Sequence, residues 1–154
     1  MNFKRMIELR ILLLLVMTGG LVLVAEAQTT NDQQSVPAVQ LITTAELKEK
    51  FSSNEPVTII DVRAADSYGN SETRIKGAIH VKLRRLKSRL VYPPLKDVPR
   101  DREVVTYCAC QGEHSSIVAA QILLTSGFKR VRALKGGWHE WLKASGQVEP
   151  KPKG

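Results

Sequence analysis

The 154-residue sequence contains only two cysteines, Cys108 and Cys110, separated by one residue. Two cysteines cannot build the disulfide framework that holds many small secreted folds together. A zinc site would need further ligands at suitable spacing, and the nearest candidates are His114 and His139, so neither a metal nor another cofactor is expected. Cysteines this scarce and this close together indicate a chemical rather than a structural role.

Aromatic residues are also scarce, at 5% of the sequence, and none of the basic stretches interleaves with them as in a nucleic-acid-binding surface. No internal repeat is visible, which argues against a solenoid. With 43% hydrophobic and 25% charged residues, the composition is that of one ordinary globular domain rather than a disordered or fibrous protein.

The sequence lacks an apolar run of the length expected for a membrane-spanning helix, about 20 residues. The run from Ile11 to Ala25 is shorter, is preceded by basic residues and ends in Ala25-Glu26-Ala27, with small residues at the positions that a signal peptidase reads. This pattern predicts a secretory signal peptide over residues 1–27. An uncleaved N-terminal membrane anchor is the alternative.

Cleavage after Ala27 would leave a polar leader, residues 28–40, rich in Gln, Thr, Asn and Ser and expected to be flexible. Residues 1–27 hold three basic and two acidic side chains, so the remaining chain keeps 20 Lys+Arg against 13 Asp+Glu, a net charge of +7. This charge favours anionic partners. Export, with the bacterial periplasm as the expected location, argues against nucleic acid as one of them.

Alternating strand and helix patterns predict an α/β domain with a mostly parallel central sheet flanked by helices. The four predicted strands are Val57–Ile60, Ala78–Val81, Glu103–Tyr107 and Lys129–Leu134. The predicted helices cover residues 44–51, after a capping box formed by Thr43 and Glu46, residues 83–90, residues 115–126, ending at Gly127, and a last helix that begins at Gly136-Gly137.

Both cysteines lie where the third predicted strand ends and a helix is about to begin. In open α/β sheets, ligands bind beyond the carboxyl ends of the strands. A loop at a helix N-terminus aims backbone N–H groups at one point, which favours a thiolate, a persulfide or a bound oxyanion there. Cys110 precedes a polar, glycine-containing loop and fits this role, whereas Cys108 still belongs to the strand pattern, where a buried cysteine is usually inert.

These motifs together resemble a rhodanese domain. The resemblance is carried by the segment Tyr107–Ser116, by Ala119-Ala120, Gly127-Phe128 and Val131, by Gly136-Gly137-Trp138 with Trp141, and by Asp61-Val62-Arg63 and Gly77-Ala78 in the expected order. It covers residues 41–146, which leaves residues 147–154 as an expected disordered tail. The resemblance implies a sulfurtransferase that moves sulfur from a small sulfur-donor anion to a thiol acceptor through a persulfide.

The family usually has its nucleophilic cysteine directly after the strand's tyrosine, which would be Cys108. Counting back from Ala119-Ala120, however, the usual six-residue loop starts at Cys110, and a start at Cys108 would give eight residues. We therefore assign the nucleophile to Cys110. Rhodanese-like phosphatases have a loop one residue longer, so this length favours sulfur transfer over phosphate hydrolysis.

The resemblance also implies the other site residues. Those expected to bind substrate are Gln111, Gly112, Glu113, His114, Ser115, Ser116 and Arg63, with Asp61 and Cys108 in support. Many members carry Arg where this chain has Ser115, and Glu113 is an unusual neighbour for an anion unless its side chain points outward. The natural sulfur donor is therefore left open.

Several alternatives stay open. Asp61 could accept hydrogen bonds from the loop, hold Arg63 or cap a turn, and Arg63 could bind an anion or pair with Asp66. Seven basic and no acidic residues between Arg74 and Arg89 form either a solvated face or a surface for anionic lipid. Instead of sulfur transfer, Cys108 and Cys110 could serve as a thiol–disulfide redox or binding pair.

Overall fold

A five-stranded parallel sheet lies at the centre of the computed structural model, which describes residues 36–152. The predicted signal peptide and residues 28–35 of the predicted leader lie outside the described residues. In chain order the strands are β1 (Gln40–Ile42), β2 (Val57–Asp61), β3 (Thr73–Ile75), β4 (Ile79–His80), β5 (Glu103–Tyr107), β6 (Arg130–Leu134) and β7 (Val148–Pro150). The central sheet has the order β1-β6-β5-β2-β4, so β5 is its middle strand.

In the described part of the chain, five helices lie between strands. They are α1 (Thr44–Ser52), α2 (Ala65–Gly69), α3 (Leu86–Arg89), α4 (His114–Thr125) and α5 (Gly137–Lys143), with 3-10 turns at Leu83–Arg85, Leu95–Asp97 and Gln111–Glu113. Within residues 36–152, none of the helices has the length and apolar character needed to cross a membrane. The predicted α/β class with a mostly parallel sheet is confirmed.

Apolar side chains pack on both faces of the sheet, because successive residues of a strand point to opposite faces. Ile60 and Val104 pack with Leu86 and Leu123 on the face that α3 and α4 cover. Ile59 and Val105 are adjacent in sequence to Ile60 and Val104. They pack on the opposite face of the sheet with Leu47, Trp138 and Trp141. All five residues of β5 are buried, which fixes the position from which the cysteine segment leaves the sheet.

The ends of two helices show how local sequence sets the fold. Thr43 accepts a hydrogen bond from the Glu46 backbone while the Glu46 carboxylate accepts one from the Thr43 backbone, so the predicted capping box is confirmed. At the end of α4, Gly127 has a φ of +92° and Phe128 N donates to Leu123 O at 3.1 Å, as in a Schellman motif. This sharp stop turns the chain into β6.

The prediction of a disordered tail over residues 147–154 is wrong for β7. Residues 148–150 pair antiparallel with β3, Arg74 forms an ion pair with Glu149 at 2.8 Å, and Lys151 N donates to Glu72 O at 3.0 Å. The tail has no apolar periodicity of its own, and its order comes from a segment about 75 residues away in the chain. Neither strand of this small sheet was predicted, because each one is stabilised by pairing with the other and has no strand pattern of its own.

Candidate active site

Both cysteines follow β5, the central strand of the sheet, but they differ in exposure. Cys108 is 2% exposed, whereas Cys110 is exposed to solvent. The structure shows them joined by a disulfide, with their Cα atoms 5.7 Å apart. Cys110 in this form is not a free thiol, so it can act as a nucleophile only after the disulfide has been reduced.

The loop from Cys110 to Ser115 makes a tight turn into the N-terminus of α4. Gly112 has a φ of +71° and Glu113 a φ of +56°, so two consecutive residues adopt the left-handed conformation. Such a conformation is uncommon for a residue with a side chain, and it marks a backbone held by its surroundings. Beyond the turn, the first N–H groups of the 12-residue helix α4 have no intrahelical acceptor, as at every helix N-terminus.

Two polar contacts hold the left-handed residue in place. The Glu113 carboxylate accepts a hydrogen bond from Gly136 N at 2.5 Å, and the Glu113 carbonyl accepts one from Ser116 Oγ at 2.9 Å. The Glu113 side chain therefore points to the loop before α5. The negative charge of Glu113 had made it an unusual neighbour for an anionic ligand. In the structure its carboxylate already has a backbone N–H as hydrogen-bond partner.

The start of α5 also holds the segment that carries the cysteines. Trp138 N donates to Cys108 O at 2.8 Å, and His139 Nε2 lies 3.2 Å from Ala109 O. A Cβ atom on Gly137 would lie 2.2 Å from the Cys108 carbonyl oxygen, so only glycine allows this approach of the two backbones. Residues 108 and 109 follow β5 directly, and their backbone is thus held in place by the first residues of α5.

A buried ion pair lies at the end of the neighbouring strand β2. The Arg63 guanidinium donates two hydrogen bonds to Asp61 Oδ2, at 2.7 and 3.0 Å, and stacks over the Trp138 ring with Cζ 4.2 Å from its centre. Tyr107 OH donates to the same carboxylate at 2.6 Å. Arg63 thus pairs with Asp61, not with Asp66, and its side chain is inaccessible to solvent.

The electrostatics of this network favour the ionised carboxylate. Burial alone would raise the pKa of Asp61, but the neighbouring His80 and the hydrogen bonds from Arg63 and Tyr107 outweigh it and lower that pKa below the ordinary value. Burial and the adjacent Asp61 charge raise the pKa of Tyr107, which therefore stays protonated and donates. Asp61 accepts from the backbone N of Arg63 as well, at 3.0 Å.

A groove of about 440 Å³ opens beside the cysteine loop. The residues that line it are Val62, Arg63, Ala64, Ala65, Lys82, Leu83, Arg84 and Ser115. Lys82 and Arg84 are exposed there. Two cations therefore share a groove with Ser115, the residue at the position where the family often carries a loop arginine.

The predicted site residues fall into two groups. Residues 110–116 form one continuous segment that runs from the loop into the first turn of α4, with Gln111, Gly112 and His114 exposed and Ser116 buried. Asp61 and Arg63 form a separate buried pair at the end of β2, and Arg63 Nη1 is a buried atom without a hydrogen-bond partner among residues 36–152. Prediction missed Lys82 and Arg84 as neighbours of the loop and Gly136 as the partner of Glu113. Among residues 36–152, no three His, Cys, Asp or Glu side chains cluster as a metal site would require.

The fold and site define a class of parallel α/β domains with a cysteine-containing loop at the carboxyl end of the middle strand. Within that class, residues 43–144 match the family model described as the rhodanese-like domain. The chain belongs to the rhodanese-like family.

Individual relatives agree. The chain is 28% identical over 113 residues to Putative sulfurtransferase YtwF of Bacillus subtilis, covering 73% of this chain and 97% of the relative. It is 36% identical over 85 residues to Thiosulfate sulfurtransferase GlpE of Coxiella burnetii, covering 55% of this chain and 71% of that relative. The match to a further curated relative spans only 55% of that protein's length.

Among solved structures, the solution structure of the rhodanese-like domain of the Alr3790 protein from Anabaena superimposes with a TM-score of 0.60 at 26% identity, covering 77% of this chain and 87% of that one. Together with the relatives named as sulfurtransferases, this supports sulfur transfer at the level of the family.

Proposed function

We propose that the protein is a sulfurtransferase in which reduced Cys110 carries sulfane sulfur as a persulfide. The observation that carries the proposal is the contrast in exposure: Cys110 is exposed at the start of the loop into α4, whereas Cys108 is 2% exposed. A donor can reach Cys110 without any rearrangement of the core. The six-residue length of the loop, Cys110 to Ser115, favours a sulfur group over a phosphate by resemblance to the family.

The reaction has two steps once an external thiol has reduced the disulfide. The Cys110 thiolate attacks the outer sulfur of a donor such as thiosulfate, the sulfur–sulfur bond of the donor breaks, and sulfite leaves with the bonding electrons. An acceptor thiolate then attacks the outer sulfur of the persulfide, and Cys110 leaves as a thiolate. The N–H groups at the start of α4 favour the anionic sulfur in both steps.

The groove beside Ser115 supports an anionic donor. Lys82 and Arg84 offer the positive charge that the loop itself lacks, and small apolar side chains beside them leave room for a compact ligand. A charged groove of this kind raises the local concentration of small anions. In this proposal the donor's sulfonate end binds between these cations while its outer sulfur meets Cys110.

The test is an intact-mass measurement on protein that has been reduced, freed of reductant and mixed with thiosulfate. Cys108→Ser should gain one sulfur atom and Cys110→Ser none, and wild type should gain one before any later internal discharge. Sulfite release should match the sulfur taken up. A protein with two free thiols that takes up no sulfur from thiosulfate or from polysulfide would refute the proposed enzyme.

The disulfide itself favours a second candidate, a thiol–disulfide exchange module that uses both cysteines. In that case the reduced protein should reduce a small disulfide, each single-cysteine variant should lose this activity, and neither should form a stable sulfur adduct. The same mass measurement separates the two candidates.

We further propose that the protein acts after export, in the bacterial periplasm, and that its basic surface approaches anionic lipid. Support comes from the signal-like residues 1–27 and from the exposed side chains of Lys82, Arg84, Arg85, Lys87 and Arg89. Cell fractionation of the full chain, with N-terminal sequencing of the product, tests export and cleavage. Recovery of the intact chain in the cytoplasm would contradict it.

A further inference from the structure

The cysteine pair combines one accessible and one shielded sulfur within a single clamped segment. Cys108 is 2% exposed, and its backbone carbonyl is fixed by Trp138 N at 2.8 Å. Cys110 is exposed and still reaches Cys108, since the two sulfurs are bonded in the folded domain. Bond formation between them therefore requires no movement of strand or helix.

We propose that Cys108 is a resolving cysteine, so that the protein releases hydrosulfide from its own persulfide when no acceptor thiol is present. This inference rests on the proposed persulfide at Cys110. It adds a second activity, the reduction of sulfane sulfur to sulfide, in which the Cys108–Cys110 disulfide is the product left on the protein.

The step balances without any further reactant. The Cys108 thiolate attacks Sγ of Cys110, the bond between that Sγ and the outer sulfur breaks, and the outer sulfur leaves with the bonding electrons as hydrosulfide. The outer sulfur is reduced, and the two cysteine sulfurs are oxidised to the disulfide. An external thiol or dithiol reductant then restores both cysteines, as thiol–disulfide exchange requires.

The burial of Cys108 separates its role from that of Cys110. A donor in solvent meets Cys110 first, because the sulfur of Cys108 is covered. The outer sulfur of a Cys110 persulfide extends from the exposed residue, while its inner sulfur occupies the position that bonds to Cys108. An acceptor in solvent therefore attacks the outer sulfur, whereas Cys108 attacks the inner one.

Ser116 is the polar neighbour of the buried sulfur. Its Oγ lies 3.7 Å from Cys108 Sγ and donates its own hydrogen to Glu113 O at 2.9 Å. The oxygen is thus oriented to accept a weak hydrogen bond from the reduced Cys108 thiol and to hold it toward the loop. The acceptor concentration then decides the outcome: transfer when thiols are abundant, sulfide release when they are not.

A single-turnover experiment tests this. Reduced protein, freed of reductant, is mixed with one equivalent of thiosulfate without an acceptor, and sulfite, sulfide and intact mass are followed over time. Wild type should release sulfite first and then about one sulfide per protein, ending two hydrogens lighter than the reduced chain. In Cys108→Ser and Cys108→Ala the persulfide should persist, with discharge slowed about ten-fold or more, because the internal thiol has a high effective concentration.

The outcomes separate the inference from the proposed function. Sulfite release followed by equal rates of sulfide release in wild type and both Cys108 variants would overturn the resolving role and leave the persulfide intact. No sulfite and no sulfur adduct in any protein would refute the proposed function and the inference together. The wild-type result alone, sulfide with matching disulfide, does not depend on how well the variants fold.

Discussion

The carboxylate of Glu113 accepts a hydrogen bond from the backbone N–H of Gly136 at 2.5 Å, which ties the cysteine loop to the residue preceding α5. The two residues are 23 positions apart in the chain. Gly136 has a φ of +72°, and a Cβ atom there would lie 2.1 Å from Cγ of Glu140. A glycine at this position therefore allows its N–H to face the loop. The negative charge of Glu113 is directed at this N–H group and not at a sulfur donor.

Glu113→Ala should loosen the loop. Removal of a charge-assisted hydrogen bond costs about 1.5–3 kcal/mol, and Gly136 N loses its partner. We expect a lower unfolding midpoint in denaturant and slower sulfur uptake by Cys110. Glu113→Gln keeps an acceptor oxygen and should lie between wild type and the alanine variant. Faster sulfur uptake by both variants would show instead that Glu113 acts mainly by repelling the donor.

Gly137→Ala should disturb the clamp on the cysteine segment. The new Cβ would lie 2.2 Å from the Cys108 carbonyl oxygen, and φ is +51°, so the backbones must separate. Overpacking of this kind costs about 1–3 kcal/mol, and the displaced segment should slow both disulfide formation and persulfide formation. Gly69→Ala is the matched control, because no atom lies within 4 Å of its added Cβ. Equal stability of the two variants in thermal unfolding would contradict this account of Gly137.

Structural features that depend only on residues close together in the sequence could be predicted. The capping box at Thr43, the buried strand before Cys108 and the glycine that ends α4 each depend on neighbours within a few residues. The order of these motifs was enough to predict the parallel α/β fold. Trp138 and Trp141, in the helix predicted to begin at Gly136-Gly137, are buried in the core at 5% and 0% exposure.

Features that depend on distant residues could not be predicted. The pairing of β3 with β7 joins two short polar segments that carry no pattern alone. The shared groove of Lys82, Arg84 and Ser115 arises from the fold, since the first two precede β5 and the third follows it. Arg63 has the sequence position of a surface residue at a strand end, and only the aromatic rings and Asp61 around it show why it is buried.

The groove cations should contribute to donor binding. In a double variant, Lys82→Gln with Arg84→Gln, we expect the KM for thiosulfate to rise several-fold with little change in kcat, because binding charge is lost while Cys110 is unchanged. The salt dependence of kcat/KM should weaken as well. Lys87→Gln with Arg89→Gln removes the same charge from exposed residues outside the groove lining. Equal effects of the two double variants would indicate a general charge effect and not a donor site.

The Asp61–Arg63 pair should make the fold sensitive to acid. Because the pKa of Asp61 is lower in the folded state than in the unfolded chain, the unfolded chain binds the proton more readily. The stabilisation is therefore present above the ordinary carboxyl pKa and is lost as pH falls through the lowered value. The pKa of Glu103 is lowered too: burial opposes this, but the hydrogen bonds from Arg132 and Lys50 outweigh it, so Glu103 adds to the same acid dependence.

Asp61→Asn should cost about 3–5 kcal/mol near neutral pH, since it leaves the Arg63 charge buried without its partner. The variant should also lose part of the decline in stability on acidification, while Glu103 retains the rest. Urea unfolding at a series of pH values measures both effects. Asp66→Asn, at an exposed position in α2, is the control and should follow the wild-type curve. If Asp61→Asn instead kept the full wild-type acid dependence, the lowered pKa of Asp61 would not be a source of stability.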